Sequence, residues 1–255
     1  GGIMALRQAI ADYLHAFRGM VVNPEQIIVG AGTEYLYGLL IQLLGDDKIY
    51  GIENPGYPKI AKIYDSMHVS YSAIDLDEHG VCIDSLEDHQ IDIMHLSPSH
   101  HFPTGIITPI SRRYELLGWA SKDENRYIIE DDYDSEFRYK GKPIPALQGS
   151  DSNGKVIYTG TFSKSLAPSI RMSYMVLPEH ILKIYQEKCR FISSTVSKVD
   201  QMILQKFMEE GYYERHLNKT RALYKNRHDV LISSLRKMNC LLYTSPSPRD
   251  GATSR

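Results

Sequence analysis

The feature that most limits what this chain can fold into is a repeated alternation. Short apolar runs end abruptly in loops rich in Gly, Pro, Ser or acidic residues, and helical periodicity fills the intervals. Ile27-Ile28-Val29 passes into Gly30-Ala31-Gly32-Thr33-Glu34, and Lys48–Ile52 passes into Glu53-Asn54-Pro55-Gly56-Tyr57-Pro58. Ile91–Leu96 leads into Ser97–Gly105, Tyr127-Ile128-Ile129 into Glu130-Asp131-Asp132, and Lys155–Thr159 into Gly160-Thr161-Phe162-Ser163-Lys164. Runs that are β-branched and aromatic and are bounded by turn residues read as buried strands, and strands alternating with helices imply an α/β fold with a mostly parallel sheet. Further strands are expected at Val69–Ile74 and Arg171–Leu177. Helices are expected at residues 3–18, from the Gly30–Glu34 turn to Leu44, at Ser111–Lys122 with Leu116, Leu117, Trp119 and Ala120 inward, and as one long stretch opened by Pro178-Glu179.

In open α/β sheets ligands bind at the carboxyl ends of the strands, so the loops are where chemistry is sought. A lone loop lysine is usually a solvated cation. Lys164, however, has company. Hydroxyls at Thr161 and Ser163 and a guanidinium at Arg171 are donors suited to a dianionic phosphate. Upstream, the carboxylates of Glu130-Asp131-Asp132 are costly to bury beside a sheet without a cation to receive them, and a protonated pyridine nitrogen would serve. Gly30-Ala31-Gly32 between a strand and a helix is by itself a connecting turn. Its backbone N–H groups at a helix N-terminus would favour a phosphate, but the pattern alone does not select that reading; the resemblance described below does. Because a carboxylate repels phosphate, the contact is assigned to Gly32 and Thr33 and not to the Glu34 side chain. His100-His101 reads as no metal site, since adjacent side chains splay apart and no third ligand is spaced nearby. The Arg112-Arg113 pair reads as solvated.

These residues resemble a known family. The run Glu130-Asp131-Asp132-Tyr133-Asp134-Ser135-Glu136-Phe137-Arg138-Tyr139 and the run Gly160–Arg171 resemble the aminotransferase-type module of MocR-type transcription regulators. That module is similar to fold-type I enzymes dependent on pyridoxal 5'-phosphate (PLP). The resemblance covers about residues 1–238. It implies a three-layer α/β/α large domain, with a small C-terminal domain beyond residue 238 that carries the arginine gripping the substrate carboxylate. It implies PLP as cofactor, carried as an imine on Lys164. Asp131 would face the pyridine nitrogen, Tyr133 would reach the ring hydroxyl and Tyr57 would stack on the ring. Gly32, Thr33, Thr161, Ser163 and Arg171 would bind the phosphate, Ser163 the weakest of these. Spacing alone does not separate Asp131 from Asp132; the family position selects Asp131. Phe102 stands where aminotransferases place an Asn on the ring oxygen, as it does in MocR-type modules, and this departure puts rapid transamination in doubt. The reading this supports is a PLP-dependent aminotransferase moving an amino group between an amino acid and a 2-oxo acid; the alternative, which shares every residue named, is a PLP and amino-acid sensing module of a DNA-binding MocR-type regulator. A homodimer acting on an amino-acid or amine ligand is implied in either case.

The net charge of −2 argues against an extended nucleic-acid surface on this chain, so DNA contact would come from an N-terminal domain outside it. Cys82, Cys189 and Cys240 suit neither a disulfide framework nor a zinc site, which with the absence of a signal peptide or membrane-length apolar run places the expectation in the cytoplasm. Gly1-Gly2 precedes a helix with no initiator Met, so upstream residues are expected. Residues 239–255, with Pro246 and Pro248 among small polar residues, read as a non-native or disordered tail after a large domain spanning 1–238.

Overall fold

The computed structural model describes residues 1–137, 144–189 and 191–237; the expected tail at 239–255 lies outside the described residues. In chain order the elements are α1 (Met4–Arg18), β1 (Ile27–Gly30), α2 (Thr33–Leu44), β2 (Tyr50–Asn54), α3 (Pro58–Ser66), β3 (Tyr71–Asp77), β4 (Gly80–Val81), α4 (Ile83–Asp88), β5 (Ile93–Leu96), α5 (Ile110–Ser121), β6 (Tyr127–Asp132), β7 (Val156–Thr161), β8 (Ser173–Val176), α6 (Glu179–Lys188), α7 (Lys198–Glu209) and α8 (Tyr212–Lys237).

The strands form one sheet in the order β1-β8-β7-β6-β5-β2-β3-β4. β7, β6, β5, β2 and β3 are mutually parallel, β8 runs antiparallel to both β1 and β7, and β4 closes a short hairpin on β3. Strand alternation divides the core between the two faces. Ile28, Ile129, Ile157 and Met175 pack with Leu36, Leu40, Ile63, Tyr64, Ile181 and Tyr185 of α2, α3 and α6. Ile27, Val29, Tyr158, Tyr174 and Val176 meet Leu6, Ile10 and Leu14 of α1, together with Leu204 and Leu217 of α7 and α8. Ile128, Val156 and Met94 meet Leu116 and Trp119 of α5 on that same face. The expected three-layer α/β/α architecture follows from this division.

α1 ends at Gly19, whose φ of 66° lets its N–H turn back to the Leu14 carbonyl. The long helical stretch expected after Pro178 is divided into three helices. α6 stops at Lys188, and a new helix begins only where the Ser197 hydroxyl accepts the Asp200 N–H at 3.1 Å. The Ser and Thr residues at 193–195 compete locally for backbone hydrogen bonds, which is why the periodicity does not run through them. A second correction concerns Arg113. It is not solvated but buried in the α5 interface, where its guanidinium donates to the carbonyls of Thr108, Pro98 and Pro145 at 2.9, 3.0 and 2.8 Å. Arg112 donates to Asp77 at 2.7 Å and to Glu115 at 2.8 Å. None of the described helices is long and apolar enough to cross a membrane.

Candidate active site

Because β1, β2, β5, β6 and β7 share one direction, their carboxyl ends deliver their loops to one edge of the sheet. A cavity of about 400 Å³ lies there, lined by Thr33, Tyr37, Glu53, Tyr57, Lys59, His95, Phe102, Asp131, Tyr133, Thr161 and Lys164 among others. A second cavity of about 420 Å³ lies against Ala31, Leu166, Arg171 and α7, but neither the lysine nor the acidic strand end reaches it.

Lys164 follows β7 by a short turn. Its Nζ stands 3.4 Å from Asp134 Oδ2 and 4.5 Å from the centre of the Tyr133 ring, with about half of the side chain exposed. Asp134 also accepts from His100 Nδ1 at 2.8 Å, and this contact raises the His100 pKa above its usual value against the opposing effect of burial. His101 faces the other way, with Nδ1 2.6 Å from the Thr104 hydroxyl, so the adjacent histidines do diverge. Among the described residues no group of three or more His, Cys, Asp or Glu is placed to hold a metal ion.

The neighbouring aspartates of β6 point to opposite faces. Asp131 shares the parity of Ile129 and enters the cavity, where it accepts from Tyr37 Oη at 2.8 Å and lies 3.7 Å from His95 Nε2. That imidazole nitrogen is buried without a hydrogen-bond partner, while Nδ1 is held 2.9 Å from Tyr64 Oη. Asp132 shares the parity of Ile128 and is buried against α1. Its Oδ2 accepts from Tyr158 Oη and lies 2.8 Å from Arg18 Nε, in an orientation that makes a charge contact rather than a hydrogen bond. Glu130, on the same side as Asp132, accepts the backbone N–H groups of Leu147 and Gln148 at 2.8 and 2.9 Å.

The other expected residues are distributed as follows. Thr161 lines the cavity, and its Oγ1 is shared with the Ser163 N–H at 3.2 Å and the Ser173 hydroxyl at 2.9 Å. Ser163 is not among the lining residues, its hydroxyl donating to the Ile170 carbonyl at 2.9 Å. Tyr57 and Phe102 meet edge to face at 6.0 Å over the opening, both about half exposed. The Tyr133 hydroxyl donates to the His100 carbonyl at 2.9 Å. Gly32 has a φ of 95°, and a Cβ built there would fall 2.7 Å from Arg171 Nη2 and 2.8 Å from Glu34 Oε2. Arg171 is thus held over the turn, with Nη2 3.0 Å from Glu34 Oε2, and Lys59 binds the other carboxylate oxygen.

Tyr37, Glu53, Lys59, His95 and Asp134 belong to the site but are not singled out by the sequence pattern. Asp134 lies inside the acidic run 130–136 and Lys59 directly after Tyr57-Pro58. Tyr37 and His95 sat in apolar runs and carried no sequence signal beyond their polar atoms. Glu53 accepts the Ser97 N–H at 3.1 Å and lies 3.6 Å from His101 Nε2. Burial raises its carboxyl pKa, the Ser97 N–H lowers it and the Asp131 charge raises it, so that it stands at about 8.

A model of the aminotransferase class I and II family matches residues 1–248, and the chain belongs to that family. It is 41% identical over 236 residues to the uncharacterized HTH-type transcriptional regulator YdeL of Bacillus subtilis, covering 92% of this chain and 51% of that protein. It is 34% identical over 236 residues to the "Probable rhizopine catabolism regulatory protein MocR" of Rhizobium meliloti, covering 91% and 47%. Among solved structures it resembles an archaeal alanine:glyoxylate aminotransferase with a TM-score of 0.82 and 27% identity, covering 92% of this chain and 61% of that one. The chain therefore spans about half the length of these curated relatives. The resemblance to MocR-type modules and the fold-type I architecture are borne out.

The family implies PLP as the cofactor, and the residues present fit it. A turn that excludes a Cβ beneath a guanidinium allows a phosphate to approach the backbone closely, and the cavity adds an amine, a carboxylate and aromatic walls.

Proposed function

We propose that this chain binds PLP in the cavity at the sheet edge and serves as the amino-acid or amine responsive module of a MocR-type regulator. The observation that carries this reading is the convergence of Lys164, Asp131, Thr161 and Tyr57 on one cavity at the carboxyl ends of parallel strands. Lys164 presents its ε-amine with Asp134 as the carboxylate that stabilises the cation. Asp131 accepts the Tyr37 O–H and keeps acceptor capacity for a protonated ring nitrogen, which its charge would hold in that state. Tyr57 and Phe102 form aromatic walls that limit water. Gly32, Thr33, Thr161 and Arg171 would supply the phosphate contacts, with Lys59 beside them paired to Glu34. Tyr133 sets the position of Lys164 through its ring and of the His100 loop through its hydroxyl. The cofactor, when bound, supplies an electron sink for carbanion chemistry at an amino-acid α-carbon.

Two observations favour sensing over rapid turnover: the identity to regulators at 41% and 34%, and Phe102 at a position the aminotransferases fill with a polar Asn. The second reading, an aminotransferase acting on an amino acid and a 2-oxo acid, is favoured by the likeness to the alanine:glyoxylate enzyme. On either reading the working unit is a homodimer in the cytoplasm, and DNA contact on the regulator reading belongs to a separate N-terminal domain. The test is to add PLP to the full-length protein, follow its visible absorbance and reduce with borohydride. The reading expects a modified peptide at Lys164 and loss of the band in K164A. Modification at another lysine refutes it. Amino acids that shift the band without catalytic release of oxo acid select the sensor, and multiple turnovers select the enzyme.

A further inference from the structure

The sequence sets an acidic residue inside the phosphate loop, and the structure shows what that residue does with its charge. Glu34 lies in the first turn of α2, one residue after Thr33. One carboxylate oxygen takes Lys59 Nζ and the other takes Arg171 Nη2 at 3.0 Å. The carboxylate sits over Gly32, as the short distance from a Gly32 Cβ to Glu34 Oε2 shows. Partial burial pushes its pKa up, but the Lys59 hydrogen bond, its own backbone N–H and the Arg171 hydrogen bond outweigh that and hold it at about 2. The carboxylate is therefore ionised at neutral pH.

A guanidinium, an ammonium and a helix N-terminal N–H above a glycine turn make up the donor set of a phosphate site. Here the chain's own carboxylate engages all three. We propose that Glu34 is an internal competitor for the phosphate of the ligand: a phosphate monoester must take Arg171 from Glu34, which stays paired with Lys59, so cofactor retention is weakened and kept reversible. The charge balance gives the direction. Arg171, Lys59 and Glu34 together carry +1, and a dianion brings the cluster to −1; without the Glu34 charge the same groups carry +2 and the dianion neutralises them. This proposal rests on the reading that the cavity takes a phosphorylated cofactor.

The test titrates PLP and unphosphorylated pyridoxal into the full-length wild type and E34Q, read by the visible band of the Lys164 adduct. Because the Glu34–Arg171 pair is partly exposed and screened, E34Q should bind PLP roughly three- to tenfold more tightly at low salt, with pyridoxal changed by less than about twofold. Added salt should shrink the difference, and R171A should remove most of it. Inorganic phosphate titrated calorimetrically into K164A and into K164A with E34Q reads the anion site without the lysine adduct, and it too should bind tighter when Glu34 is neutral. A PLP-to-pyridoxal preference that is unchanged or lower in E34Q overturns the proposal, as does unchanged phosphate binding. If neither aldehyde gives a band in wild type, the Lys164 reading fails, and the phosphate titration still decides the role of Glu34.

Discussion

Replacing Asp132 with Asn should cost stability and replacing Asp131 with Asn should not. Asp132 and Arg18 are each less than 5% exposed, and their charged atoms are 2.8 Å apart. At an effective dielectric of about 20, unit charges at that distance attract by roughly 6 kcal/mol before desolvation. Removing one partner of a buried pair leaves the other uncompensated, at a measured cost of about 3–5 kcal/mol. The low end applies here, because an Asn side chain can still accept from Tyr158 and the Glu130 charge remains within reach of Arg18. Arg18 also donates to the Ser99 hydroxyl at 2.9 Å and to the Ile144 carbonyl, so the strain of an unpaired cation would spread to the loop after β5. A loss of about 3 kcal/mol lowers the melting temperature of a chain this size by about 6–12 °C. Asp131 is more accessible and faces a cavity, and an Asn there can still accept from Tyr37 at the same place. D131N should therefore melt within about 2 °C of wild type while losing affinity for PLP, and D132N should melt early while the folded fraction retains it. Calorimetry and absorbance on the same samples read both effects. A D132N protein that melts with wild type, or a D131N protein that falls as far, would refute the assignment of the two aspartates to opposite faces.

The Glu53 pKa, raised to about 8 from 4.5, gives a pH dependence whose sign can be worked out. Between those values the folded carboxyl keeps its proton while the unfolded one has lost it, so the stability this group contributes is fully present below about 4.5 and declines as pH rises toward 8. E53Q should reduce the difference in urea midpoint between pH 5 and pH 8, and an undiminished difference would show that Glu53 is not the buried acid responsible; Glu136, raised to about 7 by burial and the Asp132 charge, adds a slope of the same sign that E53Q leaves in place. Sedimentation of the PLP-loaded full-length protein should give a dimer mass, and a strictly monomeric loaded species would count against the assembly carried over from the family.

The layering of the fold was legible because period and burial agree. Ile128 and Ile129 each pack into a different face, as strand geometry requires, and the β-branched runs of β5, β6 and β7 have the continuous apolar character of strands covered on both sides. The same alternation divides Asp131 from Asp132 without ambiguity, yet it cannot say which face carries the ligand. That depends on Arg18, whose cation reaches Asp132 from the last residue of α1, a contact across 114 positions that no local pattern contains. Arg113 was misread for a related reason: an Arg in a helix pattern reads as solvent-facing until the carbonyls of the 98–108 loop and Pro145 are brought to it by tertiary folding.

Arg18 and Arg113 are both buried cations reached only by tertiary contacts, and both serve the cavity indirectly. Arg18 anchors the acidic face of β6 and the Ser99 hydroxyl, while Arg113 gathers the carbonyls at the two ends of the same loop. Between those ends lie His100, which holds Asp134, and Phe102, which meets Tyr57. The loop that carries Phe102 is therefore fixed from beneath by two buried guanidiniums. Such a loop is pre-organised by packing and charge on the side opposite the ligand, so substitutions at Arg18 or Arg113 should alter cavity shape through the backbone, whereas those at Phe102 act on its wall directly.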